Sequence, residues 1–528
     1  MEETTRVALE TIEMNKQAII FVASRPSAEK TAEEIAALTS INLAELEKEI
    51  LHALAAPTKQ CRRLSHCIKK GIAFHHSGLA SKQRELIEEN FRMGKIKIIC
   101  ATPTLAAGVS TPAFRVIIKS LKRYSEKWGN DWIPVLEYLQ MAGRAGRPEY
   151  EAYGEAISIA KNSAEKEEIY ERYILGVPEE IYSKLAAEPI LRASLLSLIS
   201  SGIIRDDKTL HEFFSNTFWA HQFQEYEKLS FILSKILNLL EEWQFIILEK
   251  SSNTNTTKNG NTFGDFMSAA SLPKEHALAD QKNLSPKMRP TQIGKRISEL
   301  YVDPLTAKHL IDSLQNFTDQ KTTFSLLQMI SHTLEMRPQL SVKAKEQDKI
   351  QDALVKHYDQ LLKEEPSPYD LEYDMFINSI KTALFFQDWI SEHDEEYLLE
   401  TYDIRPGEIH IKLDIADWLL YSASELAKAQ NQHHALKEIH KLRLRLQYGV
   451  KEELLTLLKL KGIGRVRARK LYSNGIKDLG NLKSVDLTSL SQILGKTIAE
   501  DVKSQLGEDV PEEISARKRI GQMSLGKY

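Results

Sequence analysis

The octapeptide QMAGRAGR, residues 140–147, places one amide and two guanidinium groups on a short segment with two glycines. Guanidinium groups bind phosphate oxygens bidentately and keep their charge at neutral pH. Arg144 and Arg147 are three residues apart, which puts both on one face of a helix. Two such groups directed at one point stabilise the charge that develops on a transferring phosphoryl group. We therefore predict that Gln140, Arg144 and Arg147 form one side of a nucleoside triphosphate site. The alternative is an exposed basic helix start.

The segment ATPTLAAGVSTPA follows a strongly apolar run and is rich in hydroxyl groups. It contains Thr102 and Thr104 and, four residues later, the conformationally permissive Gly108. Hydroxyl and backbone N–H groups at the end of a strand can hold a nucleic-acid backbone or a ribose. This segment is therefore a second candidate for a binding role.

The segment FHHSGL ends another apolar run and contains two histidines, His75 and His76. Histidine pairs can bind metals, but no Cys, Asp or Glu accompanies these two at the spacing of metal ligands. We predict no metal site in the chain.

Short apolar runs alternate with helical patterns through the first 160 residues. Strands are predicted at QAIIFVAS, GIAFHHSG, IKIICAT, RVIIKS and GEAISIA. This alternation indicates a parallel sheet with helices on both faces. In such sheets the loops at the carboxyl ends of the strands form the binding site. The hydroxyl-rich and histidine segments both follow predicted strands, so we expect them at this edge.

The order and spacing of IIFVASR, FHHSGL, ATPTLAAGVSTPA and QMAGRAGRP resemble the second RecA-like lobe of superfamily 2 helicases. The QMAGRAGRP form is typical of the Ski-like branch. The resemblance implies an ATP-facing set with the arginines as fingers toward the γ-phosphate: Gln140, Arg144, Arg147 and Gly108. It also implies a set that follows the DNA backbone: His75, His76, Thr102 and Thr104.

The segment SLKRYSEKWGNDWIPVLEY contains a Gly-Asn-Asp turn between aromatic and basic residues, which is typical of a β-hairpin. In the archaeal DNA helicases of this branch, a hairpin at this position parts the duplex. The resemblance places it at about residues 123–133, with Tyr124, Trp128 and Trp132 available to stack on the last base pair. The alternative is a surface hairpin without a role.

Helical periodicity replaces the strand pattern after about residue 165. By resemblance, SLLSLISSGIIRDDKTLHEFFSNTFWAHQ belongs to a winged-helix domain, and TQIGKRISELYVDPLTAKHL enters a helical ratchet domain. The family's base-stacking tryptophan corresponds to Trp418, for which the alternative is core packing. Ile411 stands where the family places an arginine, which puts a second ratchet contact in doubt.

The segment LLKLKGIGRVRARKLYSNGI, residues 457–476, predicts a helix-hairpin-helix with a Gly-Ile-Gly turn. Free N–H groups at the start of the second helix can hold a phosphate, and the two glycines allow its close approach. Residues 441–477 carry eleven Lys or Arg and two acids. We predict salt-dependent DNA binding through this domain. The residues proposed to carry it are Gly462, Gly464, Arg465, Arg467 and Arg469. By resemblance, the domain also restrains the motor.

The segments predict a multidomain chain in which an α/β RecA-like lobe precedes winged-helix, α-helical ratchet and helix-hairpin-helix domains. The SSNTNTTKNGNTFGD run predicts a flexible insertion within the winged-helix domain. The predicted boundaries are 1–170 for the lobe, 171–290 for the winged-helix domain with its insertion near 251–290, 291–440 for the ratchet domain, 441–507 for the helix-hairpin-helix domain and 508–528 for a tail.

Composition places the 528-residue chain among globular proteins, with 42% apolar residues, 27% charged residues and a net charge of -3. Three cysteines argue against a disulfide scaffold and for a reducing compartment. No apolar run approaches the roughly 20 residues that span a bilayer. The expected location is cytoplasmic, without a membrane partner.

A G-x-x-x-x-G-K-[ST] phosphate loop does not occur in the sequence, and ILGKT at 493–497 lacks the first glycine. The resemblance begins at the middle of the family pattern. We therefore expect ATP and Mg²⁺ to be held mainly by a first RecA-like lobe supplied from elsewhere.

The function implied by the resemblance is that of the C-terminal part of an archaeal ATP-dependent DNA helicase, related to the helicase half of DNA polymerase theta. It would move 3′ to 5′ on single-stranded DNA and unwind forked substrates in replication-coupled repair. The alternatives are a non-catalytic DNA-binding module and an RNA helicase of the same branch. The helix-hairpin-helix argues against the RNA helicase.

The last residues contain Gln522, Leu525 and Tyr528 at the spacing Q-x-x-L-x-x-Y. This spacing resembles tails that bind a sliding clamp, which makes a clamp a candidate partner. The alternative is a disordered tail.

Overall fold

The computed structural model describes residues 2–53, 57–106, 111–125, 129–146, 152–185, 187–223, 226–249 and 287–507. For Tyr124 only the backbone is described. The residues singled out in the sequence that lie outside this part of the chain are Gly108, Trp128, Arg147, Gln522, Leu525 and Tyr528.

The N-terminal lobe is built on a five-stranded parallel sheet. The lobe's strands are β1 (Ala18–Phe21), β2 (Ile72–His75), β3 (Ile98–Ala101), β4 (Arg115–Ile118), β5 (Lys122–Ser125), β6 (Gly129–Trp132) and β7 (Glu155–Ser158). The order across the sheet is β2-β3-β1-β4-β7, and β5 and β6 form a separate antiparallel hairpin. All five strands predicted for the sheet are present, and the parallel-sheet lobe is confirmed.

Helices pack against this sheet. They are α1 (Glu3–Glu13), α2 (Arg25–Ala36), α3 (Ala44–Leu51), α4 (Lys59–Lys69), α5 (Ser81–Arg92), α6 (Val135–Ala142) and α7 (Ser163–Ile169). Helix α2 begins after Ser24, whose hydroxyl accepts a hydrogen bond from the Ser27 N–H at 3.4 Å. This start puts Arg25 and Glu29 four residues apart on one helix face, which turns both toward the loop after β2.

The segment predicted to form a winged-helix domain, hereafter the winged-helix domain, consists of α8 (Glu188–Ser200), α9 (Asp207–Ser215), α10 (Phe218–Phe223), α11 (Tyr226–Glu242), β8 (Ile246–Glu249) and β9 (Lys287–Pro290). Strands β8 and β9 pair antiparallel. Residues 287–290 were predicted to lie in the flexible insertion, and that part of the prediction is wrong. The segment KMRP has one apolar residue, Met288, which is buried in the domain core, so its strand character comes from tertiary contacts.

The segment predicted to form a helical ratchet domain, hereafter the ratchet domain, consists of α12 (Gln292–Leu300), α13 (Pro304–Gln315), α14 (Thr323–Ser331), α15 (Gln347–His357), α16 (Tyr373–Ile390), α17 (Glu395–Tyr402), α18 (Pro406–Ala429) and α19 (His433–Tyr448). The helix-hairpin-helix domain consists of α20 (Arg465–Ser473), α21 (Leu479–Ser484), α22 (Leu487–Leu494) and α23 (Lys496–Gln505).

The boundary predicted between residues 440 and 441 falls inside α19. Leu442 and Leu446 on this helix pack in the core of the ratchet domain. The helix ends at Gly449, which adopts a left-handed backbone with φ of 63°, and the next core begins at Val450. Residues 441–448, which were predicted to begin the helix-hairpin-helix domain, are therefore the last turns of a helix that belongs to the preceding domain.

Three hydrophobic cores hold the described residues. One fills the lobe, one fills the helix-hairpin-helix domain, and one is shared by the winged-helix and ratchet domains. Among the described helices, none is long and apolar enough to cross a membrane.

Candidate nucleotide and nucleic-acid interface

Thr102 and Thr104 lie together at the carboxyl edge of the sheet. The Thr102 N–H donates to the His75 carbonyl at 3.3 Å, which joins the ends of β2 and β3. The two threonine hydroxyls are 2.9 Å apart, with Thr104 exposed and Thr102 largely covered. The structure thus brings the hydroxyl pair to the edge that the sequence predicted, and its role toward DNA stays a prediction.

His75 and His76 point into the protein, in contrast to the expectation that they face DNA. His75 Nε2 lies 2.9 Å from Glu88 Oε1, and the histidine is 4% exposed. His76 is fully buried, accepts a hydrogen bond at Nδ1 from the Gly78 N–H, and places Nε2 3.2 Å from Glu29 Oε1. Both side chains therefore have partners inside the protein, and neither is available to a phosphate in this conformation.

Gln140 and Arg144 lie at the end of α6, beside the loop that follows β3. Gln140 is exposed. The Arg144 Nε donates to the Ala106 carbonyl at 2.9 Å, and its Nη2 donates to the same oxygen. The backbone is fixed by Ala113 N–H donating to the Arg144 carbonyl at 3.0 Å. The structure thus joins the segment predicted to face ATP to the hydroxyl-rich one.

The start of α6 is held by the carboxylate of Glu179. This side chain accepts hydrogen bonds from the N–H groups of Val135 at 2.5 Å and Leu136 at 3.1 Å. These bonds lower the pKa of Glu179. The sequence did not single out Glu179, which lies more than 40 residues from the helix start that it caps.

An exposed apolar surface surrounds this corner of the lobe. On α6, Leu136 and Leu139 flank Gln140, and they are 45% and 42% exposed. The segment after α7 is packed across the same helix, since Tyr173 donates to the Ile133 carbonyl at 2.7 Å. This segment contributes further exposed apolar residues: Tyr170, Ile174, Leu175, Val177, Ile181 and Tyr182. Soluble monomers rarely expose so many large apolar side chains along one segment.

The predicted hairpin is present as β5 and β6, with Tyr124 opposite Asn130. Trp132 on β6 does not project from it. Lys122 Nζ lies 4.0 Å from the Trp132 ring centre, and the ring also contacts Tyr173. Trp132 thus belongs to the lobe, and of the three aromatic residues proposed to stack on DNA it is the one whose side chain the structure describes.

Trp418 lies midway along α18 and is partly buried. Its indole N–H donates to the Leu300 carbonyl at 3.0 Å, and its ring packs against the shared core of the helical domains. Ile411, two helical turns earlier, is 48% exposed. The core of the helical domains therefore covers part of the Trp418 side chain. Base stacking on the part that remains exposed stays a prediction.

The Gly-Ile-Gly turn of the helix-hairpin-helix is formed as predicted. Gly462 adopts a left-handed backbone with φ of 80°, and Gly464 precedes α20 with open space where a Cβ atom would lie. Arg467 is exposed, and its Nη1 donates to the Gly462 carbonyl at 2.7 Å. This part of the predicted DNA surface is therefore accessible.

Arg465 and Arg469, by contrast, are directed at the ratchet domain. Arg469 Nε donates to Glu392 at 2.7 Å, and its Nη1 lies 2.8 Å from Glu453. Arg465 donates to the carbonyl groups of Glu392 and His393 and lies over the Trp389 ring. The prediction that these two arginines are free for DNA does not hold in this conformation, because they dock one domain on another.

The chain matches three family models. Residues 3–149 match the helicase conserved C-terminal domain, residues 324–449 match domain 4 of archaeal helicases, and residues 454–508 match the SAM-like helix-hairpin-helix tandem. The order of these matches agrees with the order of the cores in the structure.

Relatives named ATP-dependent DNA helicase Hel308 are similar along the chain. That of Methanocella arvoryzae is 34% identical over an alignment of 543 positions, which covers 100% of this chain and 68% of the relative. That of Pyrococcus abyssi is 35% identical, covering 97% and 67%, and that of Methanococcus vannielii is 38% identical, covering 88% and 62%. The chain thus spans about two thirds of the length of the curated relatives it matches. From the parallel-sheet lobe, the helical domains and these identities, we conclude that the chain belongs to the family of Hel308-type ATP-dependent DNA helicases.

Proposed function

We propose that the chain is the C-terminal part of an ATP-dependent DNA helicase that moves 3′ to 5′ on single-stranded DNA and unwinds forked substrates in replication-coupled repair. The observation that supports this most is the pairing of Arg144 with the loop after β3, next to the exposed Gln140. This arrangement fixes an arginine and an exposed amide next to each other on one side of the proposed nucleotide site.

A first RecA-like lobe, on this or another polypeptide, completes the ATP site in this proposal. Mg²⁺, when bound with ATP, neutralises charge on the β- and γ-phosphates. Within the described ranges, no cluster of three His, Cys, Asp or Glu could hold a metal ion. In this proposal Arg144 and Arg147 meet the γ-phosphate from the outer side of the site, and the first lobe holds Mg²⁺.

The exposed apolar surface supports the same partner. Leu136 and Leu139 border Gln140, so a domain that closes on the ATP-facing residues would also cover them. Removing apolar area from water contributes roughly 25 cal/mol per Å². The surface thus gives the first lobe an attachment beside the nucleotide.

The DNA-facing elements of the proposal are the β5–β6 hairpin, the hydroxyls of Thr102 and Thr104, Trp418 on α18, and the turn at Gly462 and Gly464. Each offers a contact that does not depend on base sequence. Hydroxyls and N–H groups bind phosphates, and an aromatic ring stacks on bases. Such contacts suit a protein that moves along a strand.

The proposal is tested with the purified chain and a separately prepared first lobe from a Hel308 relative. We expect the chain alone to bind forked and single-stranded DNA, measured by fluorescence anisotropy, without hydrolysing ATP. Addition of the first lobe should produce DNA-stimulated ATP hydrolysis, and Arg147→Ala should abolish it. The matched control is Arg92→Ala, an exposed arginine at the end of α5.

Three results would count against the proposal. ATP hydrolysis by the chain alone would remove the need for the first lobe. Continued inactivity after the lobe has bound would favour a non-catalytic DNA-binding module. Tighter binding of RNA than of DNA with the same sequence would favour an RNA helicase. Forks that carry either a 3′ or a 5′ tail test the direction, and we expect unwinding of the 3′-tailed fork.

A further inference from the structure

The loop after β2 is docked on the first turn of the ratchet helix α18. The Gly407 N–H donates to the Gly78 carbonyl at 3.1 Å, which joins the two backbones directly. A Cβ atom on Gly407 would overlap the carbonyl oxygens of Ser77 and Leu79, and one on Gly78 would overlap the Arg405 side chain. The two segments therefore approach as closely as glycine allows.

Two ion pairs cross this contact in opposite senses. Arg405, at the start of α18, places Nε 3.6 Å from Glu29 Oε1 in the lobe. Glu408, on the first turn of α18, pairs with Arg25 of the lobe, which also donates to the Ser77 hydroxyl at 3.0 Å. The pairing is thus reciprocal, because each side supplies one cation and one anion.

Glu29 is held in place by residues of the lobe itself, independently of its contact with α18. It is 4% exposed and accepts hydrogen bonds from Gln60 at 2.7 Å and Arg63 at 2.5 Å, with His76 at 3.2 Å. Burial by itself raises the pKa of Glu29. The bonds from His76 and Gln60 and the charge of Arg63 outweigh it and lower the pKa to about 2. Glu29 is therefore an ionised, oriented acceptor for Arg405.

A second contact between the same two domains lies at the start of α4. The Lys59 N–H donates to Glu396 Oε2 at 2.7 Å, and the Lys59 ammonium pairs with Glu400. A carboxylate at a helix N-terminus is favoured by the helix dipole. Two separated contacts restrain rotation as well as translation between the lobe and α17–α18.

We infer that Arg405, Gly407 and Glu408 are positioning residues that clamp helix α18 to the lobe, so that the lobe and the helix carrying Trp418 move as one rigid body. The consequence of this inference rests on the proposed function: when the lobe is displaced during the ATP cycle, the DNA-facing helix α18 is displaced with it to the same extent. The clamp itself is a property of this chain and is measurable without ATP.

The rigid clamp is tested by the distance between two spin labels in the chain alone. The native cysteines in the described residues, Cys61, Cys67 and Cys100, are all buried, so exposed cysteines introduced at Arg92 in the lobe and Lys428 on α18 can be labelled selectively. We expect one narrow distance distribution in the parent protein and a distribution at least twice as wide after Arg405→Ala or Glu408→Gln.

The matched control is Glu425→Gln, also on α18, whose carboxylate pairs with Arg296 at 2.7 Å inside the ratchet domain. It removes the same charge without touching the clamp and should leave the distribution narrow. Glu408→Gln is nearly isosteric, and Gly407→Ala provides a second route to opening the clamp. An unchanged distribution in the Arg405→Ala, Glu408→Gln double variant, with its helix content intact, would overturn the inference.

The consequence for the motor is tested after addition of the first lobe. We expect Glu408→Gln to retain at least half of the DNA-stimulated ATP hydrolysis while it separates several-fold fewer base pairs per ATP. A proportional decline of both rates would contradict a coupling role. If no lobe restores hydrolysis, the proposed function fails while the distance measurement still decides on the clamp.

Discussion

The indole N–H of Trp418 donates to the Leu300 carbonyl, the last residue of α12, at 3.0 Å. One edge of this tryptophan is therefore committed to the protein, and the hydrogen bond fixes the orientation of its ring. A ring fixed in this way loses little conformational entropy when a base stacks on it. Structural and DNA-contacting roles are thus compatible in the same residue, and they can be separated by experiment.

Trp418→Phe should preserve an aromatic face but lose the hydrogen bond. We expect a destabilisation of about 0.5–1.5 kcal/mol from the lost bond and near-parental affinity for single-stranded DNA. Trp418→Ala should also lose the stacking contribution of roughly 1–3 kcal/mol, which weakens affinity by about 5- to 150-fold. Urea unfolding and fluorescence anisotropy measure the two quantities.

The control for this pair is Trp389→Phe, because the Trp389 indole donates to the Leu446 carbonyl at 2.7 Å in the same domain. Phenylalanine keeps an aromatic ring beneath Arg465, so this variant should cost similar stability and leave DNA affinity unchanged. Parental affinity in Trp418→Ala would return Trp418 to a purely structural role.

Arg144 should matter for ATP turnover and not for DNA affinity. With the first lobe present, we expect Arg144→Ala to lower the rate of DNA-stimulated hydrolysis by about 10³-fold or more. Arg144→Lys should also be severely impaired, because an ammonium cannot replace a bidentate fork. Anisotropy should show DNA affinity within twofold of the parent for both variants. A turnover loss below tenfold would contradict the role of an arginine finger.

Glu392 should control how many arginines of α20 are available to DNA. Glu392→Gln removes one of the two ion pairs of Arg469 and leaves the pair with Glu453, so we expect tighter single-strand binding at low salt. The slope of log K against log salt should steepen by about 0.7 for each additional phosphate that the protein neutralises. Glu500→Gln, which removes the same charge from the pair with Lys496 on α23, is the control. Identical slopes in the two variants would show that docking and DNA binding do not compete.

The free energy of unfolding of the ratchet domain should decrease as the pH is lowered, because of His309. Burial, with a smaller contribution from Lys363, lowers the pKa of this histidine to about 3. The unfolded residue takes up a proton near pH 6.5, so the stabilisation is complete above that pH and is lost as pH falls toward 3, by up to about 1.4 kcal/mol per unit.

His309→Gln should remove this slope and keep a donor for the Met329 carbonyl, which the histidine Nε2 contacts at 3.0 Å. Unfolding midpoints at pH 7.5 and pH 5 measure the difference between variant and parent. Between pH 7.5 and pH 5 the parent should lose more stability than His309→Gln. An equal loss in both proteins would show that His309 does not cause the pH dependence.

The sheet was predictable because each of its strands contains an apolar run that is visible in the sequence. Ile98 and Ile99 are both fully buried although they face opposite sides of the sheet, and a strand covered on both sides reads as a continuous apolar run. Strand β9 has no such signal: Met288 alone faces the core. The end of α19 was also missed, because basic residues alternate with leucines in its last turns and only Leu442 and Leu446 reach the core.

The site was predictable as a set of segments but not as a set of contacts. Glu29 lies in a helix rich in charged residues and would be assigned to the surface, whereas its partner Arg405 is 376 positions away in the chain. The run of basic residues around Arg465 correctly indicated a charged hairpin. It could not show that Glu392, from another domain, already holds two of those charges.

The clamp at the first turn of α18 makes the lobe and this helix rotate together. Trp418 is twelve residues beyond Pro406 on the 24-residue helix, which at 1.5 Å per residue is about 18 Å from the clamp. For a rotation of the lobe about an axis through the clamp, about 11° carries the tryptophan through about 3.4 Å, the spacing of one nucleotide in a stacked strand. Under the proposed function, a modest rotation of the lobe is therefore enough to advance the helix by one nucleotide.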